Sequence, residues 1–548
     1  MNCLRSPVYW IVVAVAIFVS VLTLRAEDTS PSAIPQQIRR PVRVTISKET
    51  TCLTGPIRSD GWLDYATAIN ERCSRGVTAE NNAAIPFWRS VGPKDIPKEK
   101  RERFFKMLGI SPLPDQGQYL VQLYEHLQYV KDGPASGTPE RNQWEGDITL
   151  DQPRLAQSRP WSRKEFPVLA NWLDSNAKPL EVLCAAADRT RFFEPLVVKA
   201  NGSLLDAFEI MDLSGFRCAV ELLRLRAMQE VAEGKVDAAW RDLLVCHRLA
   251  RLMGQKALLV DGIVARGLER SAYDGEVAII HHAHPTSEKL TQFRRELLEL
   301  PGLPPMESYF LGERLFSLDF VWSVAAGDPA ALRLCGGFSL KDRNKESRTQ
   351  LLADRRVDWD IVFRKYNAGL DEVEKAWRQP TLFQRYQALG KLDAAARVAA
   401  NRVIDPAELA KFLSPQTSKA DISRQLADIL FGSDGVAGFE VYAVAEALNA
   451  VRTQLTDFAF ALAEYHNDRA AYPGSLAELS PKYIADIPKD PFSDQAYCYR
   501  PQGNGYLLYS VGRNGKDDGG ANSLDDLKKY AGATDFDKLP DDIAIRTP

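Results

Sequence analysis

Residues 216–250 read FRCAVELLRLRAMQEVAEGKVDAAWRDLLVCHRLA, and their periodicity decides the fold class. Phe216, Val220, Leu223 and Ala227 recur at the three-and-four spacing that lines one face of an α-helix. The pattern stops at Gly234-Lys235 and restarts with Val236, Trp240, Leu243, His247 and Ala250 on one face. A helix, a glycine-containing turn and a returning helix make an αα-hairpin.

Working outward, the same periodicity persists for most of the chain. Ser59 or Asp60 caps a helix carrying Trp62, Tyr65, Ala66, Ile69 and Cys73. Helices are also expected from Thr78 towards Trp88, and over 98–108, 161–176 and 179–187. The segment 204–233 reads as helix bent near Ser214-Gly215, and 131–163, rich in Gly, Pro, Asp and Arg, as a long surface loop. Further helices are expected at 256–281, 286–299, 306–326, 347–377, 381–399, 405–413 and 418–431. The hairpin is similar in style to one tetratricopeptide unit. No second copy follows at a period of about 34 residues, so it belongs to a larger helical body and not to a solenoid.

A long helix over 439–465 carries Val441, Val444, Leu448, Val451, Leu455, Phe458, Leu462 and Tyr465, with Ala443, Ala447, Ala450, Phe460 and Ala461 widening the apolar face. That width favours burial against the body or a sheet over a free coiled coil. Tyr472-Pro473-Gly474 ends it, and 496–500 and 506–511 alternate like two strands with the turn at 502–505. The expected fold is therefore mainly α: a multi-helix body over 56–435, then a small α+β domain over 436–548 with an acidic C-terminal loop.

The 548 residues, with 69 Lys and Arg against 72 Asp and Glu and 45% apolar residues, describe an ordinary globular chain. A net charge of −3 argues against a nucleic-acid partner. The amino terminus differs from the rest. No charge occurs from Ser6 to Leu24, and the 17 residues Val8 to Leu24 would span about 26 Å as a helix. Arg5 precedes this run and Arg25, Glu27 and Asp28 follow it, which favours the amino terminus inside and the body outside. An uncleaved signal anchor over 1–26, followed by a Pro-containing linker over 27–55, fits better than a signal peptide cut after Ala26, because Leu24 is large where a small residue is preferred. The expectation is a single-pass membrane protein with its bulk in the periplasm, the alternative being secretion after cleavage. No cysteine pair has the C-x-x-C spacing of a zinc or redox site, and pairing of Cys52 with Cys73 cannot be read from spacing.

The C-terminal segment resembles the globular head of the type II secretion major pseudopilins. The resemblance rests on the run Tyr465-His466-Asn467-Asp468-Arg469-Ala470-Ala471-Tyr472-Pro473, on Ile487-Pro488-Lys489-Asp490-Pro491-Phe492, and on Gly505-Tyr506-Leu507-Leu508-Tyr509-Ser510-Val511-Gly512-Arg513-Asn514-Gly515. It covers roughly residues 440–530. It implies a calcium ion in the loop after the second strand. Where those heads carry an acidic ligand this chain has Asn514, and Asp517, Asp518, Asp525 and Asp526 supply oxygens nearby, as a hard cation requires. The candidate metal residues are thus Asn514, Asp517, Asp518 and Asp525. In pseudopilins the apolar N-terminal helix runs directly into the head, whereas here over 400 residues intervene. The stretches 63–84 and 234–244 are similar to a family of large membrane-tethered planctomycete proteins, which implies the layout and no mechanism.

No H-E-x-x-H, G-x-x-x-x-G-K-[ST], G-x-S-x-G or G-x-G-x-x-G occurs, so no catalytic residue is assigned. His281, His282 and His284 precede Pro285 at a helix end, where the macrodipole favours imidazolium and a capping role. For zinc they would need a fourth ligand, and adjacent residues diverge by about 100° on a helix. His247 reads as a satisfied core histidine. The functional expectation is a scaffold or interaction protein with a protein partner in the cell envelope. The alternatives are an envelope enzyme of hydrolase type with a dispersed site, or a component of a secretion-like apparatus.

Overall fold

The main helices, in chain order, are α1 (Tyr65–Cys73), α2 (Ala84–Val91), α3 (Lys98–Leu108), α4 (Pro167–Ser175), α5 (Ala177–Ala186), α6 (Ser214–Ala232), α7 (Val236–Met253), α8 (Leu259–Ala283), α9 (Ser287–Leu298), α10 (Phe310–Ala325), α11 (Trp359–Trp377), α12 (Leu382–Ala400), α13 (Lys419–Ser433) and α14 (Phe439–Arg469). They are taken from a computed structural model, which describes residues 42–547 except 131–132, 135–136, 201, 211–212, 333–355, 401–405, 434–438 and 524–538. The fold is mainly helical, with one small antiparallel sheet.

Helices α6 and α7 form the hairpin expected from residues 216–250. Gly234 adopts φ +74°, a left-handed conformation that lets the chain reverse within a few residues. α8 then packs along α7, and α14 packs along α8. Leu243 and Ala250 on α7 and Val451, Leu455, Phe458 and Leu462 on α14, positions that the spacing singles out, are buried, as are Cys246 on α7 and Ala265, Ala272 and Ile279 on α8. Each fully buried Leu or Phe contributes about 1.5–3 kcal/mol of transfer free energy.

Buried side chains fall into two clusters. One joins α2, α3, the α6–α7 hairpin and α8 to the later part of α14, to Tyr497 and to Tyr506, Leu508, Ile543 and Ile545 of the C-terminal sheet. The other gathers Trp62, Tyr65 and Ile69 with α10, α11, α13 and the first turns of α14. Trp62 stacks on Trp322, with ring centroids 3.9 Å apart. α14 takes part in both clusters, which explains why its apolar positions widen beyond one stripe.

The sheet has the order β1-β2-β3, all antiparallel, with β1 Cys498–Gln502, β2 Gly505–Ser510 and β3 Ile543–Arg546. Gln502 pairs with Gly505 across Gly503-Asn504, and Leu508 of β2 pairs with Tyr499 on one side and Ile545 on the other. β2 is central and buried along its whole length. β3, four residues long and beyond an acidic stretch, carries too little alternation to be read from sequence.

Two expectations change, and the cysteine question is answered. Within 131–163, expected as loop, helical turns form over Pro139–Gly146 and Gln152–Ala156, joined by a π-helical turn at Asp147–Asp151. Arg141 stabilises this region by an ion pair to Glu145 and by stacking over Trp144. Cys52 and Cys73 are free thiols, as are Cys184, Cys218, Cys246 and Cys498. The membrane placement is also corrected: among the described residues no helix is long and apolar enough to cross a membrane. The run Val8 to Leu24 and the linker up to residue 41 lie outside the described residues. The single-pass anchor, the signal-anchor reading and the periplasmic assignment are therefore not carried further.

Candidate functional site

After β2 the chain enters a glycine-rich loop whose entry is pinned by the buried Asp490. Its Oδ2 accepts the Val511 N–H at 3.1 Å, and its Oδ1 accepts the Ser510 hydroxyl at 2.9 Å and the Phe492 N–H at 3.0 Å. Gly512, Gly515, Gly519 and Gly520 all have positive φ, so the loop coils tightly enough to turn its main-chain N–H groups inward. They meet the segment leading into β3. The Asn514 N–H donates to Asp541 Oδ2 at 3.1 Å, while the Asp518 and Gly520 N–H groups donate to Asp542 Oδ2 at 3.0 and 2.7 Å.

This folding brings Asp518, Asp541 and Asp542 together. Each offers one carboxylate oxygen, and the three oxygens lie within 4.8 Å of one another, the one such group among the described residues. Asp542 is 1% exposed, and its Oδ1 has no hydrogen-bond partner. Burial, together with Asp518 and Asp542, pushes the Asp541 carboxyl up to about 6. Burial, with Asp518 and Asp517 beside it, pushes Asp542 up to about 6 as well. Three close carboxylates, one of them desolvated with an unused oxygen, are costly unless protonated or paired with a cation. An all-oxygen set of this kind suits a hard divalent ion.

The residues singled out from sequence take different places. Asp518 joins the group. Asn514 stands beside it: its Nδ2 donates to Asp518 Oδ2 at 2.9 Å and to the Leu539 carbonyl at 3.0 Å, and its Oδ1 accepts the Lys516 N–H. Asp517 is exposed and accepts the Tyr509 hydroxyl at 2.8 Å and the Gly519 N–H at 2.9 Å. Asp525 lies outside the described residues. Asp541 and Asp542 were missed. Asp542 stands 24 residues beyond Asp518, and only the abundance of aspartate in the last segment hinted at it.

Two histidine groups complete the inventory. His247 is fully buried between two acids, with Nε2 2.6 Å from Glu276 Oε1 and Nδ1 3.0 Å from Glu269 Oε1, while Arg251 pairs with Glu269 at 2.8 Å. Burial opposes the imidazolium, but Glu269 and then Glu276 hold it, and its pKa rises to about 9. This is an internal charge pin linking α7 to α8. His281, His282 and His284 lie at the end of α8, and His284 adopts φ 45° as the residue closing the helix. They line a cavity of about 330 Å³ that His466 of α14 also lines.

No family model, curated protein or solved structure matches the chain.

Proposed function

We propose that this protein is a non-catalytic scaffold or interaction protein whose C-terminal module, similar to a pseudopilin head, is closed by a bound divalent cation, calcium by its chemistry. The observation that carries the reading is the gathering of the Asp518, Asp541 and Asp542 carboxylates, one oxygen of each within 4.8 Å of the others, with the buried Asp542 Oδ1 left without a hydrogen-bond partner. A cation there would tie the loop after β2 to the segment entering β3, two segments also joined by main-chain N–H groups donating to the Asp541 and Asp542 carboxylates and by the Asn514 side chain. α8 packs along α14, and Arg294 of α9 bonds Asp457 at 2.6 Å and the Tyr483 carbonyl at 2.8 Å. A module docked in this way on its own body favours a fixed scaffold over a filament subunit. Absence of a recognisable catalytic motif agrees with that role.

The test is thermal unfolding of the chain in chelator and in millimolar calcium. A ligand binding only the native state at a hundredfold excess over its Kd adds about 2.7 kcal/mol, so the melting temperature is expected to rise with calcium and to return on chelation. An unchanged melting temperature at all calcium concentrations overturns the cation-closed module.

A further inference from the structure

We infer that the cavity between the ends of α8 and α14 is a second metal site, distinct from the aspartate loop and suited to an imidazole-preferring transition cation such as zinc or cobalt. From sequence, the three histidines of α8 lacked a fourth partner. Folding adds a further imidazole: His466, in the last turn of α14, lines the same cavity as His281, His282 and His284, so that three ligands remain when His281 serves only as wall. No carboxylate and no Lys or Arg lines it. Imidazole nitrogen is the ligand that zinc, nickel and copper favour, whereas calcium requires oxygen. Two helix C-termini meet at the cavity, and their partial negative charge favours a cation over an anion.

The local backbone supports a built site. His284 sits at φ 45°, a region that costs a non-glycine residue roughly 1–2 kcal/mol, and this conformation keeps a third imidazole at the cavity after the helix has ended. Asn467 Nδ2 donates to the Pro285 carbonyl at 3.0 Å, which ties the two histidine-bearing helix ends together. His281 is buried and bonded through Nε2 to the Tyr506 hydroxyl at 2.9 Å, so it shapes the wall. His282 and His466 are half-buried and His284 is exposed. The imidazole nitrogens are not yet gathered as tightly as the aspartate oxygens. Rotation of these three rings, with water completing the shell, would take up the ion.

The test is titration of the full chain, stripped of metal, with cobalt(II) and zinc(II), followed by calorimetry and by the cobalt absorption spectrum. The wild-type chain is expected to take up one cobalt ion with ligand-field bands and no thiolate charge-transfer band. His466→Gln and His284→Asn, the latter chosen because asparagine tolerates the left-handed conformation, should each weaken uptake by more than about tenfold. Metal-free melting temperatures of the variants should stay at the wild-type value, and Asp542→Asn should leave cobalt uptake intact. No uptake by the wild type, uptake by both variants equal to that of the wild type, or a thiolate charge-transfer band each overturns the proposal. If His284→Asn fails to fold, His466→Gln alone decides.

Discussion

Gly512 lies directly against the main chain of Asp541: a β-carbon there would stand 2.3 Å from the Asp541 carbonyl oxygen. Its φ of +65° and this contact together let the loop after β2 close on the segment carrying Asp541 and Asp542. Gly515 has nearly the same φ, +66°, but nothing within 4 Å of its notional β-carbon. Gly512→Ala is expected to lower the melting temperature clearly and to remove the calcium response. Gly515→Ala should cost only the backbone strain of about 1 kcal/mol and keep that response. Thermal unfolding of both variants, with and without calcium, separates the two effects. Equal losses would show that the close approach to Asp541 is unimportant.

Asp542→Asn should act with opposite signs in the two conditions. In chelator it removes a desolvated charge from a group of three carboxylates, and the melting temperature is expected to stay level or rise. In calcium it removes a ligand, and the metal-induced rise should disappear. Differential scanning fluorimetry of wild type and variant reads both. A variant that keeps the full calcium shift would exclude Asp542 as a ligand.

The same aspartates predict a pH effect. Their native pKa values, about 6 each, lie above the ordinary 3.8. The native state therefore holds more protons than the unfolded chain between these values, and stability falls as pH rises through that window. Metal-free protein should thus gain from Asp541 and Asp542 on going from pH 7 to pH 5, while calcium affinity declines as protons compete. Calcium titrations at pH 7.5 and 5.5 check this, and equal affinities would contradict it.

His247 works in the other direction. Its native pKa, about 9, lies above the ordinary 6.5, so its pairing with Glu269 and Glu276 is fully present below pH 6.5 and is lost as pH rises through 9. Denaturant midpoints should fall between pH 7 and pH 9.5. His247→Ala leaves the buried Glu276 carboxylate without its partner, Glu269 keeping Arg251, and should cost about 3–5 kcal/mol at pH 7, with a flatter alkaline slope. A slope unchanged in the variant would place the alkaline sensitivity elsewhere.

Local pattern made much of the helical architecture readable. The α6–α7 hairpin, the breadth of the α14 apolar face and the β1–β2 pair all follow from spacing within a dozen or so residues. Arg141 shows where such reading fails: between Thr138 and Asp151 the composition suggests loop, yet an ion pair and a cation–π contact hold helical turns there. β3 was hidden for a related reason. Ile543 and Ile545 face the core only because β2 supplies an edge to pair with.

The amino-acid sequence by itself determined the long helices of the α6–α7 hairpin and α14, the turn at Gly234 and an aspartate-rich carboxyl end, because these depend on side-chain period, glycine conformation and composition. Only the tertiary structure decided which charges meet. Asp518 reaches Asp541 and Asp542, and His466 reaches the histidines of α8, through packing of elements far apart in the chain. Spacing along a chain carries no record of such closures. They are set by how apolar faces bury against one another, and the polar groups at the ends are brought together by that burial.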